Sequence, residues 1–260
     1  RLASLYDKTL RYDESEILFK EALALCREWV NRDSVAFNDD LAEILDNLGR
    51  HYLRRDKIAE AEECLTESVK LLRKMVQKFP KVYIPDLGTA LCNIGVFYSR
   101  IENYEKCDNA YKEALIIFRQ LAKENPVVYE KGYADILSNY GGLNYSNNKL
   151  DEAVVLVEES AEIYRRMAEK NPKTYKANLA FILNNLAIIY SDLKKSDKCE
   201  SVYKEVIEIY SSLLTQNERL YKGKLAKSQS DFAIFYLNNN RFDEAEKMLT
   251  ETVCIYRELA

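Results

Sequence analysis

The sequence predicts an all-α fold of stacked antiparallel helical hairpins, and three observations lead there. The chain repeats itself every 46 residues: "NLGRHY" at 47–52 returns as "NIGVFY" at 93–98, "NYGGLN" at 139–144, "NLAIIY" at 185–190 and "DFAIFY" at 231–236, with "RLASLY" at 1–6 one step back. Each copy carries two stretches of apolar residues at three- and four-residue spacing, the mark of a helix with one buried face. Glycine (7) and proline (4) are scarce among 260 residues, which leaves little material for hairpin turns of strands.

The register runs without insertion or deletion, so the chain reads as one array of roughly six repeats: a partial first at 1–38, then 39–84, 85–130, 131–176 and 177–222, and a partial last at 223–260. In the third copy, Leu87, Leu91, Ile94 and Tyr98 form the first helical face. "RIEN" at 100–103 is a polar break. A second face follows through Cys107, Tyr111, Ala114, Leu115, Phe118, Leu121 and Ala122 and stops at Asn125-Pro126. Asparagine is read there as a left-handed C-terminal cap and proline as the first turn of the next helix.

Small residues share columns of the repeat. Gly49, Gly95, Gly141, Ala187 and Ala233 form one, and Ala61, Cys107, Ala153, Cys199 and Ala245 another. Two helices approach closely only where neither carries bulk, so these columns are expected at the crossing within each hairpin. Tyr6, Tyr52, Tyr98, Tyr190 and Tyr236 are one column, and Tyr83, Tyr129, Tyr175 and Tyr221 a second. Wedges in the core or between repeats are favoured over an aromatic ligand box.

L-G-x-x-Y, then a small residue nine positions on, an aromatic or leucine four later and another small residue three after that, resembles the tetratricopeptide repeat. Leu48, Gly49, Tyr52, Ala61, Leu65 and Ser68 carry the pattern, as do Ile94, Gly95, Tyr98, Cys107, Tyr111 and Ala114. The family's usual repeat is about 34 residues, so the copies here are longer, similar to the kinesin light chain type. The early tryptophan is Leu45, Leu91, Leu137 and Leu183, and the closing proline is displaced to Pro80, Pro126 and Pro172. The resemblance implies a right-handed superhelical solenoid whose first helices line a concave groove, and a function in protein–protein interaction.

Helix geometry places a second stripe opposite the core stripe of each first helix. It reads Glu43, Asn47, Arg50, Arg54, then Thr89, Asn93, Val96, Arg100, then Asp135, Asn139, Gly142, Ser146. The last two copies read Phe181, Asn185, Ile188, Asp192 and Lys227, Asp231, Ile234, Asn238. Asparagine recurs four times, with Asp231 as the fifth member. Asparagine is a mediocre helix former, so the ladder Asn47, Asn93, Asn139, Asn185, Asp231 needs a reason. Amides that grip an extended peptide are one; amides that tie adjacent repeats together are the other. Arg50, Arg54 and Arg100 are candidates to hold a carboxylate or acidic segment. Val96, Phe181, Ile188 and Ile234 offer apolar contact to a partner or to the neighbouring repeat. Glu21, Glu67, Glu113, Glu159, Glu205 and Glu251 recur too, and are read as a structural or solvated row.

The net charge of −4 and the mixed charge pattern argue against nucleic acid. No apolar run approaches the roughly 18–20 residues of a membrane span. The opening RLASLYDKTL gives no reason to expect a signal peptide. Cys26, Cys64, Cys92, Cys107, Cys199 and Cys254 contain no CxxC pair, and read as reduced packing residues of a cytoplasmic protein rather than a disulfide framework. No phosphate-binding glycine loop occurs, and His51, the single histidine, reads as a packing or surface residue. No enzyme activity, metal or cofactor is expected. The expected function is a module that binds a protein or peptide segment. The alternative is a structural or regulatory segment of a larger protein that docks on another domain. Because the chain opens at Arg1 in mid-helix and ends at Ala260 in an apolar-striped one, a longer parent or end-to-end self-association is also expected.

Overall fold

The computed structural model describes residues 2–32 and 34–259. Arg1 and Ala260, on which the expectation about the chain ends partly rests, lie outside the described residues. The described residues form helices and the turns between them, in two compact units, Arg1–Tyr129 and Glu130–Ala260. Unit 1 holds α1 (Leu2–Lys8), α2 (Tyr12–Arg32), α3 (Ser34–Arg54), α4 (Ile58–Lys78), α5 (Pro80–Arg100), α6 (Tyr104–Glu124) and the first turn of α7 (Pro126–Ser146). Unit 2 holds the rest of α7, α8 (Leu150–Lys170), α9 (Pro172–Asp192), α10 (Ser196–Leu213), α11 (Glu218–Asn238) and α12 (Phe242–Leu259). The starts of α3, α5, α7, α9 and α11 lie 46 residues apart, and so do those of the even-numbered helices from α2 to α12. Sequence-adjacent helices pack as hairpins and the hairpins stack: α3 on α4, α4 on α5 and α5 on α6 in unit 1; α8 on α9, α9 on α10, α10 on α11 and α11 on α12 in unit 2. No described helix is long and apolar enough to cross a membrane.

The small-residue columns do sit at the hairpin crossings. A Cβ on Gly49 would lie 2.7 Å from Leu65, and one on Gly141 2.5 Å from Val157. Ala61, Cys107, Ala153, Cys199 and Ala245 are fully buried opposite them. Cys107 points its thiol at the Gly95 carbonyl (3.1 Å) and Cys199 at that of Ala187 (3.3 Å). Burial pushes both thiols up to about 12, so they are protonated and inert at neutral pH. Ser68 and Ser160 add buried hydrogen bonds across their hairpins, to the carbonyls of Ala42 and Ala134.

The caps are distributed differently from the sequence expectation. Asn125 and Asn171 are not left-handed; both are extended, with φ near −143° and −141°. A following proline excludes the helical region for the residue before it. Asn171 instead caps the next helix, its side chain accepting from the Thr174 N–H (3.3 Å). The left-handed residue sits inside each hairpin turn, at Leu10, Asp56, Glu102, Asn148, Lys194 and Asn240, with φ of 56–62°. Each is followed by an N–H that reaches back to the carbonyl five residues earlier, as Asn103 does to Tyr98 (2.9 Å), which closes the first helix of the hairpin.

Three of the recurrent glutamates pair with arginines forty residues earlier. Arg27 meets Glu67 (2.7 Å), Arg73 meets Glu113, and Arg165 meets Glu205 (2.8 Å). Each rung joins the second helices of successive hairpins. Being half-exposed, each contributes at most about 1 kcal/mol, and sets register more than it adds stability.

Candidate functional site

The ladder residues do not share one environment. Asn93 donates to both carboxylate oxygens of Asp46, at 3.0 and 2.9 Å. Asp231 accepts from the amide of Asn184, at 3.3 Å. The two contacts occupy the same register: a residue one place before the ladder position reaches the ladder position of the next repeat, 47 residues on. They are clasps between successive first helices, α3 to α5 and α9 to α11. Burial pushes the Asp46 carboxyl above the usual range, although Asn93 and the nearby Arg50 favour its charge. A hydrogen bond to a charged group contributes about 1.5–3 kcal/mol, a physical reason for amides in mid-helix.

The three arginines proposed to hold an acidic ligand are engaged within the chain. Arg54 binds the buried carboxylate of Asp7. Arg100 binds Asp56 (3.1 Å). Arg50 donates to Asn47 (2.7 Å) and lies 3.4 Å from Asp46. Around them the wall between α3 and α5 is acidic, lined by Asp39, Glu43, Asp46 and Asp86.

Unit 2 presents a different surface. Ser138, Gly142 and Tyr145 of α7, Val157 of α8, and Asn185 and Ile188 of α9 line a cleft of about 230 Å³. Asn185 and Ile188 stand on its wall half-buried, while Phe181, one turn before Asn185, is 57% exposed. Ile234 of α11 is 53% exposed, and Val96 of unit 1 is exposed too. Asn139 is exposed without being free of interactions. The Tyr145 hydroxyl donates to Asp192 (2.7 Å), and that bond, with burial, pushes it up to about 12, so it stays a donor.

Gly142 shapes the cleft. A Cβ built on it would meet nothing within 4 Å, whereas one on the adjacent Gly141 would collide with Val157. Sequence reasoning placed Gly142, Asn185 and Ile188 on one stripe. It did not single out Ser138, Tyr145 or Val157, which reach the cleft from the preceding column or from the second helix. It also overlooked the clasp partners Asp46 and Asn184, although the 47-residue offset is readable in the repeat.

Family models described as tetratricopeptide repeats match residues 1–74, 88–119, 182–212 and 225–260, most of the chain. No curated protein matches it in sequence. Among solved structures, the fold is similar to BtubC (BKLC) from P. vanneervenii at 17% identity, covering 95% of this chain and 92% of that one, with a TM-score of 0.76. It is similar to kinesin light chain TPR-like repeats from Podosopora anserina at 16% identity, over 82% and 94% of the two chains, with a TM-score of 0.66. The Rap conjugation gene regulator of plasmid pLS20, in complex with the Phr* peptide, is similar at 12% identity over 99% and 72%, with a TM-score of 0.56. The chain belongs to the tetratricopeptide repeat family, a class of protein–protein interaction scaffolds.

Proposed function

We propose that this module holds an extended segment of a partner protein in the cleft between α7 and α9, with Asn185 gripping its backbone and Ile188 and Phe181 taking its apolar side chains. The observation that carries this reading is Gly142. Glycine in mid-helix costs roughly 0.5–1 kcal/mol relative to alanine. At Gly141 the hairpin crossing requires it; at Gly142 no described residue does. A bare Cα facing a cleft admits a ligand backbone, and the amide of Asn185 can both donate and accept. The peptide complex formed by the Rap regulator, a structural relative, is consistent with such use of the fold.

The test is a peptide-display selection on the wild-type chain, followed by titration of the selected peptide against wild type and Gly142→Leu. The variant is expected to melt at or above the wild-type temperature, because leucine is the better helix former and has room. Its affinity is expected to fall at least about tenfold, equivalent to ~1.4 kcal/mol. Equal affinity of the two chains would remove the cleft from this reading.

A further inference from the structure

A second cleft lies in unit 1, on the side of α5 turned away from the ladder. The second helices α4 and α6 each pack on α5, leaving a groove of about 450 Å³ between them. Its floor is apolar, formed by Leu91, Ile94 and Tyr98 of α5 with Val69 of α4. Its rim is basic: Lys70, Arg73 and Lys74 from α4, and Lys106 from α6. Thr66, Lys70, Arg73, Lys74 and Gln77 follow one face of α4, so the strip runs about 16 Å along the helix axis.

Two of the cations are already used. Arg73 pairs with Glu113, and Lys106 lies 3.6 Å from Glu62 and over the Tyr98 ring. Lys70 and Lys74 are exposed, and neither forms an ion pair with a carboxylate among the described residues. The lysine pair is particular to this groove, although its other cations recur: the Arg73 column reads Arg119 and Arg165, and the Lys106 column has Lys198. The Lys70 column reads Ile116, Glu162 and Glu208 in later copies, and the Lys74 column reads Gln120, Arg166 and Ser212. Between α8 and α10 the matching wall carries Glu158, Glu162 and Glu169 beside Arg165, Arg166 and Lys198, so its charges balance. The helical scaffold therefore does not need lysine at these positions. In a chain of net charge −4, a local run of cations over an apolar floor matches a partner of opposite charge that also has something to bury.

We propose that this groove docks an acidic, leucine- or phenylalanine-bearing segment of a partner protein, its carboxylates on Lys70 and Lys74 and its apolar side chains on Leu91, Ile94 and Tyr98. The length of the strip favours a chain segment over a small anion, and the apolar floor favours a protein over a nucleic-acid backbone. The inference rests on the reading of the chain as a protein-binding module, at a site separate from the α7–α9 cleft.

The probe is a fluorescein-labelled peptide of repeating Glu-Glu-Leu, read by fluorescence anisotropy, with an all-Glu peptide, a Lys-Lys-Leu peptide and a single-stranded RNA as comparisons. Wild type and Gly142→Leu are expected to bind the Glu-Glu-Leu peptide alike, more weakly as salt rises. Lys70→Glu/Lys74→Glu is expected to bind it at least about tenfold more weakly with an unchanged melting curve, since both positions are exposed and glutamate stands at the Lys70 position in unit 2. The all-Glu peptide should bind less well than Glu-Glu-Leu, and Lys-Lys-Leu not at all. Undiminished binding by the double variant, equal binding of the all-Glu peptide or RNA, or no binding by wild type up to about 1 mM would each overturn the proposal. Loss of binding in Gly142→Leu alone would assign the acidic peptide to the α7–α9 cleft instead.

Discussion

Asp7→Ala is expected to destabilise unit 1 by about 2–3 kcal/mol in denaturant unfolding, a large effect for a residue in the short first helix. Asp7 is buried, and its carboxylate stands 2.7 Å from Nδ1 of His51, which is 0% exposed, and also binds Arg54. Nε2 of the same ring is buried without a hydrogen-bond partner among the described residues, 3.8 Å from Glu16. The Tyr12, Phe19 and Tyr52 rings surround it at centroid distances of 5.9–6.1 Å. Burial opposes the charge on Glu16, but hydrogen bonds from Lys20 and Lys57 hold its carboxyl down at about 2. Removing Asp7 leaves the other ring nitrogen unsatisfied as well, and an orphaned buried polar group costs about 1–3 kcal/mol. Arg54 is half-exposed and returns to water. The repeat supplies a control: the His51 column is Phe97, Leu143, Ile189 and Phe235, all buried. The double replacement Asp7→Leu/His51→Phe should recover most of the loss, as buried ion pairs exchanged for packed apolar groups commonly do. A double variant no more stable than Asp7→Ala would show that the polar cluster is required for docking the first hairpin.

Gln229→Leu is expected to stabilise unit 2 by about 2 kcal/mol. The column through this position is Leu45, Leu91, Leu137 and Leu183, each no more than 2% exposed. Gln229 is 7% exposed, and its Oε1 is buried without a partner among the described residues. Leucine removes the unsatisfied acceptor (about 1–3 kcal/mol) and adds apolar burial of roughly 25 cal/mol per Å². The sign is opposite to that of most core substitutions, so a thermal melt decides it. A lower melting temperature would mean that Gln229 Oε1 has a partner that its surroundings in α11 do not reveal.

The array was legible in the sequence because its period is rigid. The 46-residue step governs the helix starts, the crossing columns and the tyrosine rows, and each has a packing reason. What resisted reading was polar. Glu102 and Lys194 hold left-handed turns without the glycine that usually marks them, because the turn's hydrogen bonds over-determine the conformation. The arginines at 50, 54 and 100 looked available because their carboxylates lie on the preceding hairpin or one turn away. The glutamate row had no visible purpose, because the arginines that three of its members meet lie forty residues earlier, on the second helix of the preceding hairpin. Pairing across repeats was encoded all along as offsets of 40 and 47, but charge alone does not say which offset brings two side chains together. The ladder divides on the same ground: Asn93 and Asp231 fasten neighbours, while Asn185 faces a cleft.

The most direct measurement is amide hydrogen exchange on the chain with and without a display-selected peptide at saturation. Occupation of the proposed seat should slow exchange across 138–146 of α7 and 181–189 of α9, and leave α4 and α6 unchanged. Protection confined to other helices, with α7 and α9 exchanging as in the free chain, would contradict the placement of the partner segment between them.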